Sequence, residues 1–118
     1  MRTRLQDCPP YLTKDGSSIR ELMHPGLHPV GNQSLAEARV APGAATALHR
    51  HQNTEELYHI TAGKGRMTLG DQVFAVQTGD TVLIPPGTPH RIANEGPGEL
   101  VLLCCCAPAY SHDDTELL

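Results

Sequence analysis

Gly43-Ala-Ala-Thr-Ala-Leu-His49-Arg-His51-Gln-Asn-Thr-Glu55-Glu56 and Gly79-Asp-Thr-Val-Leu-Ile-Pro85-Pro-Gly87-Thr-Pro-His90-Arg-Ile-Ala-Asn94 are the two windows whose reading decides the fold. Successive side chains of a strand point to opposite faces, so His49 and His51, about 6.6 Å apart along a strand, project from the same face and can grip one ion. His90 adds a third imidazole and the Glu55-Glu56 pair offers a carboxylate, a donor set for a divalent cation. Imidazole suits Zn, Cu, Fe, Co and Ni, and a carboxylate widens the range toward Mn, so the donors define a site without naming its metal.

Outward from these windows, short strands alternate with turn chemistry. Ser18–Met23 precedes the breaker-rich His24-Pro-Gly-Leu-His-Pro29, and Ser34–Val40 ends at Pro42-Gly43. Further strands are expected over 47–51, 56–61, 65–69, 72–76, 81–84, 90–94 and 100–106, with tight turns at Leu69-Gly-Asp-Gln72 and Gln77-Thr-Gly-Asp80. This spacing, without a helical period, predicts an all-β barrel or sandwich. Alternation sends Ala47 inward with His49 and His51, and Ile92 and Asn94 inward with His90. For the acid it leaves two sets open: Glu56 with Tyr58 and Ile60, or Glu55 with Leu57 and His59.

Both windows resemble the cupin family. The first reads Gly43, five residues, His49-x-His51, four residues, Glu56, six residues, Gly63; the second reads Gly79, five residues, Pro85-x-Gly87, two residues, His90, three residues, Asn94. The match covers 43–94 directly, and the flanking strands extend it over most of the chain. The resemblance implies a small antiparallel β-barrel, the double-stranded β-helix or jelly-roll-like arrangement. It selects Glu56 over Glu55 and implies that His49, His51, Glu56 and His90 hold one divalent transition-metal ion (Mn, Fe, Ni, Co, Cu or Zn) at one end of the barrel. It also places Gln33, Arg39 and Met67 around the barrel mouth as candidate substrate-binding residues; a partly buried Arg39 would clamp a carboxylate or phosphate bidentately. One domain is expected, with core 18–106, an N-terminal arm 1–17 and a C-terminal tail 107–118.

The chain has 118 residues and a net charge of -4, with nine Lys and Arg against thirteen acids and no basic stripe for a phosphate backbone, so no nucleic-acid partner is expected. It contains no apolar run of about 18 residues and no signal-peptide order at its start, which predicts a cytoplasmic protein without a membrane partner. Cys104, Cys105 and Cys106 are consecutive, so alternation prevents the three from converging on one ion, and buried thiols in the core are expected instead. His24 and His28 are spaced for a helix that Pro25 and Gly26 forbid, and read as exposed loop residues. The tail Ala107–Leu118 reads as a chain end, mobile or docked on a partner subunit. Both faces of Leu100–Cys106 are apolar, which, with the resemblance, predicts a homodimer.

There is no Gly-x-Ser-x-Gly elbow, phosphate loop or dinucleotide fingerprint. Four protein ligands on an octahedral ion leave two neighbouring positions for small molecules, the mark of a catalytic metal site. The expectation is a metal-dependent enzyme acting on a small oxygenated or acidic metabolite, dioxygenase-like before isomerase-like, with Tyr58 as the candidate acid–base residue. The alternatives are a non-enzymatic module that holds a sugar or carboxylate through its metal, and a structural dimer with a vestigial ion.

Overall fold

The computed structural model describes residues 1–118. After a short 3-10 turn at Leu5–Asp7, the strands are β1 (Tyr11–Leu12), β2 (Ser18–Met23), β3 (Ser34–Val40), β4 (His49–His51), β5 (Glu55–Ala62), β6 (Lys64–Leu69), β7 (Gln72–Gln77), β8 (Thr81–Ile84), β9 (His90–Asn94), β10 (Leu100–Ala107) and β11 (Thr115–Leu117). All pairings are antiparallel. They form a six-stranded sheet in the order β1-β2-β3-β10-β5-β8 and a five-stranded sheet in the order β11-β4-β9-β6-β7. The expected all-β, jelly-roll-like arrangement is present, as two facing sheets that do not close into a continuous barrel.

Alternation decides what lies between the sheets. On β5, Glu56, Tyr58 and Ile60 are buried while Glu55, Leu57 and His59 are exposed, and on β9 His90, Ile92 and Asn94 are buried. Ile60, Met67, Ile84, Ile92, Leu100 and Leu102 are almost wholly buried. Burial of each such side chain stabilises the fold by roughly 1.5–3 kcal/mol before entropy is counted. Asn94 ties the second window to its neighbours: its Nδ2 donates to the carbonyls of Val40 (2.9 Å) and Gly98 (2.8 Å), and its Oδ1 accepts from the Gly96 amide (2.9 Å). No helix in the chain is long and apolar enough to cross a membrane.

Two expectations need correction. The strand expected from Ala47 starts only at His49, and Ala47 is exposed whereas Thr46 is buried. The ladder is broken because Thr46 binds the Ile92 amide through its hydroxyl (3.0 Å) while the Ala47 amide turns away to the Asp15 carbonyl (2.8 Å). The second concerns the tail, which is neither loose nor given over to a partner: β11 pairs with β4, setting Thr115 opposite His51 and Leu117 opposite His49. Acidic residues of the tail fasten it. Asp114 accepts from the amides of Asn53 (2.9 Å) and Thr54 (3.1 Å), and Glu116 from the Arg50 guanidinium (3.0 Å).

Gly63, which closes the first window, has φ +84°, and a Cβ there would lie 2.6 Å from the Glu99 carbonyl oxygen; Gly79 has φ +96° with open space around it. Gly63→Ala therefore meets both backbone strain and overlap and should lose at least about 2 kcal/mol, against about 1 kcal/mol for Gly79→Ala. Urea unfolding midpoints of the two variants check this, and equal shifts would refute the close approach.

Candidate metal centre

The four candidate ligands arrive from three strands. β4 points His49 and His51 inward, β9 opens with His90 directly opposite His49, and β5 supplies Glu56. The imidazole centroids lie 4.2 Å (His49–His90), 5.1 Å (His49–His51) and 5.3 Å (His51–His90) apart. One ring nitrogen from each of the three buried histidines lies within 4.8 Å of the others, a spacing able to hold a metal ion.

Hydrogen bonding fixes which nitrogen faces inward. His49 Nδ1 donates to the Ala47 carbonyl (2.7 Å) and His90 Nδ1 to the Thr88 carbonyl (2.9 Å); a carbonyl only accepts, so both rings carry their hydrogen on Nδ1. His51 Nδ1 meets Thr115 Oγ1 at 2.9 Å, and Thr115 gives its own hydrogen to the Ser111 carbonyl (2.8 Å), so it accepts from His51. All three Nε2 atoms therefore face the interior. Against them stands Glu56 Oε1, 3.1 Å from His51 Nε2 and 3.6 Å from His90 Nε2.

Burial would raise the Glu56 carboxyl, but His51 and His90 outweigh it and hold the group down at about 2. Burial, reinforced by His90, lowers His49 below the ordinary imidazole range. Glu56 Oε1 and His90 Nε2 are left buried without hydrogen-bond partners. Buried ring nitrogens and a carboxylate oxygen converging at this range, two of them unpartnered, are costly unless a cation lies among them, so the residues present fit a metal ion. On its other side Glu56 is secured by Cys106, whose Sγ donates to Oε2 at 3.2 Å. Burial pushes the Cys104 and Cys106 thiols up, so both stay protonated core groups beside the site, while Cys105 points to the outer face.

The other sequence-derived candidates disperse. Tyr58 lines the same cavity, of about 40 Å³, with its ring 6.0 Å from that of His90. Gln33 is exposed. Arg39 lies on the outer face, bound to Glu37 (2.9 Å) and Glu99 (3.0 Å). Met67 is wholly buried in the apolar core, away from the cavity lining. His24 is bound in its loop, with Nδ1 accepting from the Gly26 amide (2.9 Å) and Nε2 donating to the Tyr110 carbonyl (2.8 Å).

Three residues that sequence reading passed over also reach the cavity or its ligands. Asp15, in the turn before β2, brings Oδ2 to 3.6 Å from His49 Nε2 and lines the cavity. Tyr110 lines it too, and its ring stands edge-on to His51 at 5.9 Å. Thr115 orients His51. Asp15-Gly16 carries only a turn signal, and nothing local to Tyr110 or Thr115 foretells that the tail folds back on β4.

Comparison with known proteins agrees with this geometry. The Cupin domain family model matches residues 36–106. An uncharacterized protein of Methanocaldococcus jannaschii is 52% identical over 118 residues, 100% of this chain and 94% of the relative. The oxalate decarboxylase of Bacillus subtilis superposes with a TM-score of 0.82 at 27% identity, covering 100% of this chain and 32% of its own, so this chain spans about a third of that enzyme. The polyketide cyclase RemF of Streptomyces resistomycificus, at 20% identity, shares the fold with a TM-score of 0.80 over 91% of this chain and 78% of that one.

The tail's attachment carries a pH dependence. Partial burial would raise Asp114, but the amides of Thr54 and Asn53 outweigh it and hold the carboxyl below its ordinary value. A depressed folded value means that the contribution to tail docking is complete above the ordinary aspartate range and is lost as pH falls through the folded value. Amide exchange at Thr115 and Gln52 should accelerate relative to the β10 core under acid conditions, and Asp114→Asn should remove most of that difference; an unchanged acid response would refute the assignment.

Proposed function

The chain belongs to the cupin family, and from that premise we propose that it holds one divalent transition-metal ion on His49, His51, Glu56 and His90 and uses it to transform a small oxygenated molecule. The observation that carries this reading is the convergence of three buried imidazole nitrogens and one buried carboxylate oxygen, with Glu56 Oε1 and His90 Nε2 left without hydrogen-bond partners. When bound, such an ion supplies Lewis-acid polarisation or, if redox-active, electron transfer to the ligand. The chain's own residues do the rest. Ala47, Thr88 and Thr115 lock the three imidazoles in one tautomer and orientation, and Cys106 steadies the carboxylate. The apolar wall of Ala36, Ala38, Ile92 and Leu102 limits water beside the site.

Tyr58 is held well above the ordinary phenol range by burial, so it serves as a neutral donor rather than a base. That favours oxygen-dependent chemistry ahead of isomerisation, which needs a base to move a proton. Incubating metal-loaded protein with candidate hydroxy-carbonyl metabolites in air and under nitrogen, with mass analysis, tests the ordering: turnover only in air supports it, turnover in both reverses it, and unchanged recovery in both leaves a binding module.

His51→Ala should abolish metal retention through dialysis, and Thr115→Val should weaken metal affinity about 10- to 100-fold without unfolding the chain, because Val keeps the bulk and removes the acceptor from Nδ1. Competition titration with a chromophoric chelator reads both. Full retention by His51→Ala would remove the proposed site.

We also propose that the outer face of the six-stranded sheet pairs two copies of the chain. Met23, Leu35, Cys105, Leu57 and Leu83 stand side by side across five strands, and Leu57 and Leu83 are 41% and 52% exposed. Sedimentation should give twice the 12.7 kDa chain mass, and Leu83→Glu should return it to one; a wild-type monomer at micromolar concentration would refute pairing.

A further inference from the structure

The cavity beside the ligands holds further acidic groups in its lining. Asp15 and Glu21 line it together with Glu56, and among the lining residues there is no lysine or arginine. Arg39, the one guanidinium that the sequence offered as a carboxylate clamp, is engaged with Glu37 and Glu99 on the other side of its strand.

The two extra carboxylates are each half-used. Glu21 is 7% exposed; its Oε1 accepts from the Tyr11 hydroxyl at 2.7 Å, and its Oε2 is buried with no partner at all. Burial and Glu21 together push the Tyr11 phenol up, so Tyr11 keeps its hydrogen and remains the donor in that bond. Asp15 Oδ1 accepts three bonds, from Thr13 Oγ1 (2.7 Å), the Ser17 amide (2.9 Å) and Ser17 Oγ (2.6 Å). Its Oδ2 is left beside His49 Nε2. The hydroxyls of Tyr11, Thr13 and Ser17 are thus already engaged with the carboxylates they flank, and the Tyr110 hydroxyl lies 3.0 Å from His112 Nδ1. The lining carries no cationic donor, and what it offers is the unpaired Glu21 Oε2 together with Asp15 Oδ2.

We propose that the ligand of this cavity is an uncharged small molecule bearing O–H or N–H groups, which donates hydrogen bonds to Glu21 Oε2 and Asp15 Oδ2, and that the same wall rejects carboxylates. This names the substrate class of the reading above and rests on it. A carboxylate ligand would bring acceptors and negative charge to a lining that holds acidic side chains and no lysine or arginine, whereas a hydroxyl or amide satisfies the otherwise orphaned Glu21 Oε2. Glu21 and Tyr110 also border an external groove with Tyr11, His24 and Leu27.

Glycolamide and glycolate, which share shape and differ in donor capacity and charge, separate the alternatives. Calorimetric titration of Co(II)-loaded wild-type protein should show glycolamide binding at least about tenfold more tightly than glycolate. Glu21→Gln exchanges half of the carboxylate for a donor and should bring the ratio near one, and Asp15→Asn should move it the same way. Glycolate bound as tightly as glycolamide by the wild type, a ratio unchanged in both variants, or binding of neither probe would overturn the proposal. Cobalt stoichiometry is measured first, and the titrations are repeated on metal-free protein. Failure to take up cobalt therefore counts against the metal reading, while the ratio of the two probes still decides the selectivity of the wall.

Discussion

Glu56 Oε1 faces two imidazole nitrogens at 3.1 and 3.6 Å, and the surrounding fold keeps them there. Left to themselves, these groups would relax by rotation. That escape is blocked. The Ala47 and Thr88 carbonyls and the Thr115 hydroxyl bind the distal ring nitrogens, so turning an imidazole forfeits a buried hydrogen bond, and Cys106 holds the far oxygen of the carboxylate. A site that cannot relax is preorganised for a cation, because the reorganisation a flexible cluster would undergo on binding has already been offset by folding.

Two features of the sheets make this possible. The direct pairing of His49 with His90 across β4 and β9 fixes the distance between the two windows, while β5 belongs to the other sheet and delivers Glu56 from the opposite side. The ladder irregularity between Val101 and Leu102 falls where β10 meets the distal end of β5, and the pairings Cys104–Tyr58 and Cys106–Glu56 beyond it are regular. Parity near the ligands is therefore undisturbed. The break at Ala47 is equally local: it reassigns Thr46 to the interior without shifting the strand that carries the two histidines.

What could be read from the chain beforehand follows from range. Strand alternation is a period-2 signal carried by adjacent residues, so the inward set around His90 and the separation of Cys105 from Cys104 and Cys106 were legible, and β2, β3, β8 and β9 have their expected bounds. Alternation alone did not choose between Glu55 and Glu56, since each headed an equally mixed set; the spacing to Gly63 did, and a Cβ at Gly63 would strike the Glu99 carbonyl, a physical reason for that glycine. Contacts between residues far apart along the chain left no trace. Thr115 meets His51 across 64 positions, and Lys14 fastens the arm to the tail through the His112 and Thr115 carbonyls at 2.8 Å. Arg39 occupies a strand position compatible with either role, and its partners Glu37 and Glu99 become visible only in the structure.

The region matched by the family model, 36–106, contains all four candidate ligands, whereas Tyr11, Asp15, Glu21, Tyr110 and Thr115 all lie outside it. The division is chemical as well as positional. Residues inside the match set how many donors converge and at what separation, and their freedom to vary is small because each is sandwiched between two sheets. Of the residues outside it, Tyr11 and Thr115 sit on the short edge strands β1 and β11 and Asp15 and Tyr110 lie outside the strands, while Glu21 is buried on β2 between β1 and β3. The carboxylates that the cavity holds besides Glu56 therefore come from parts of the sequence that carry no family signature.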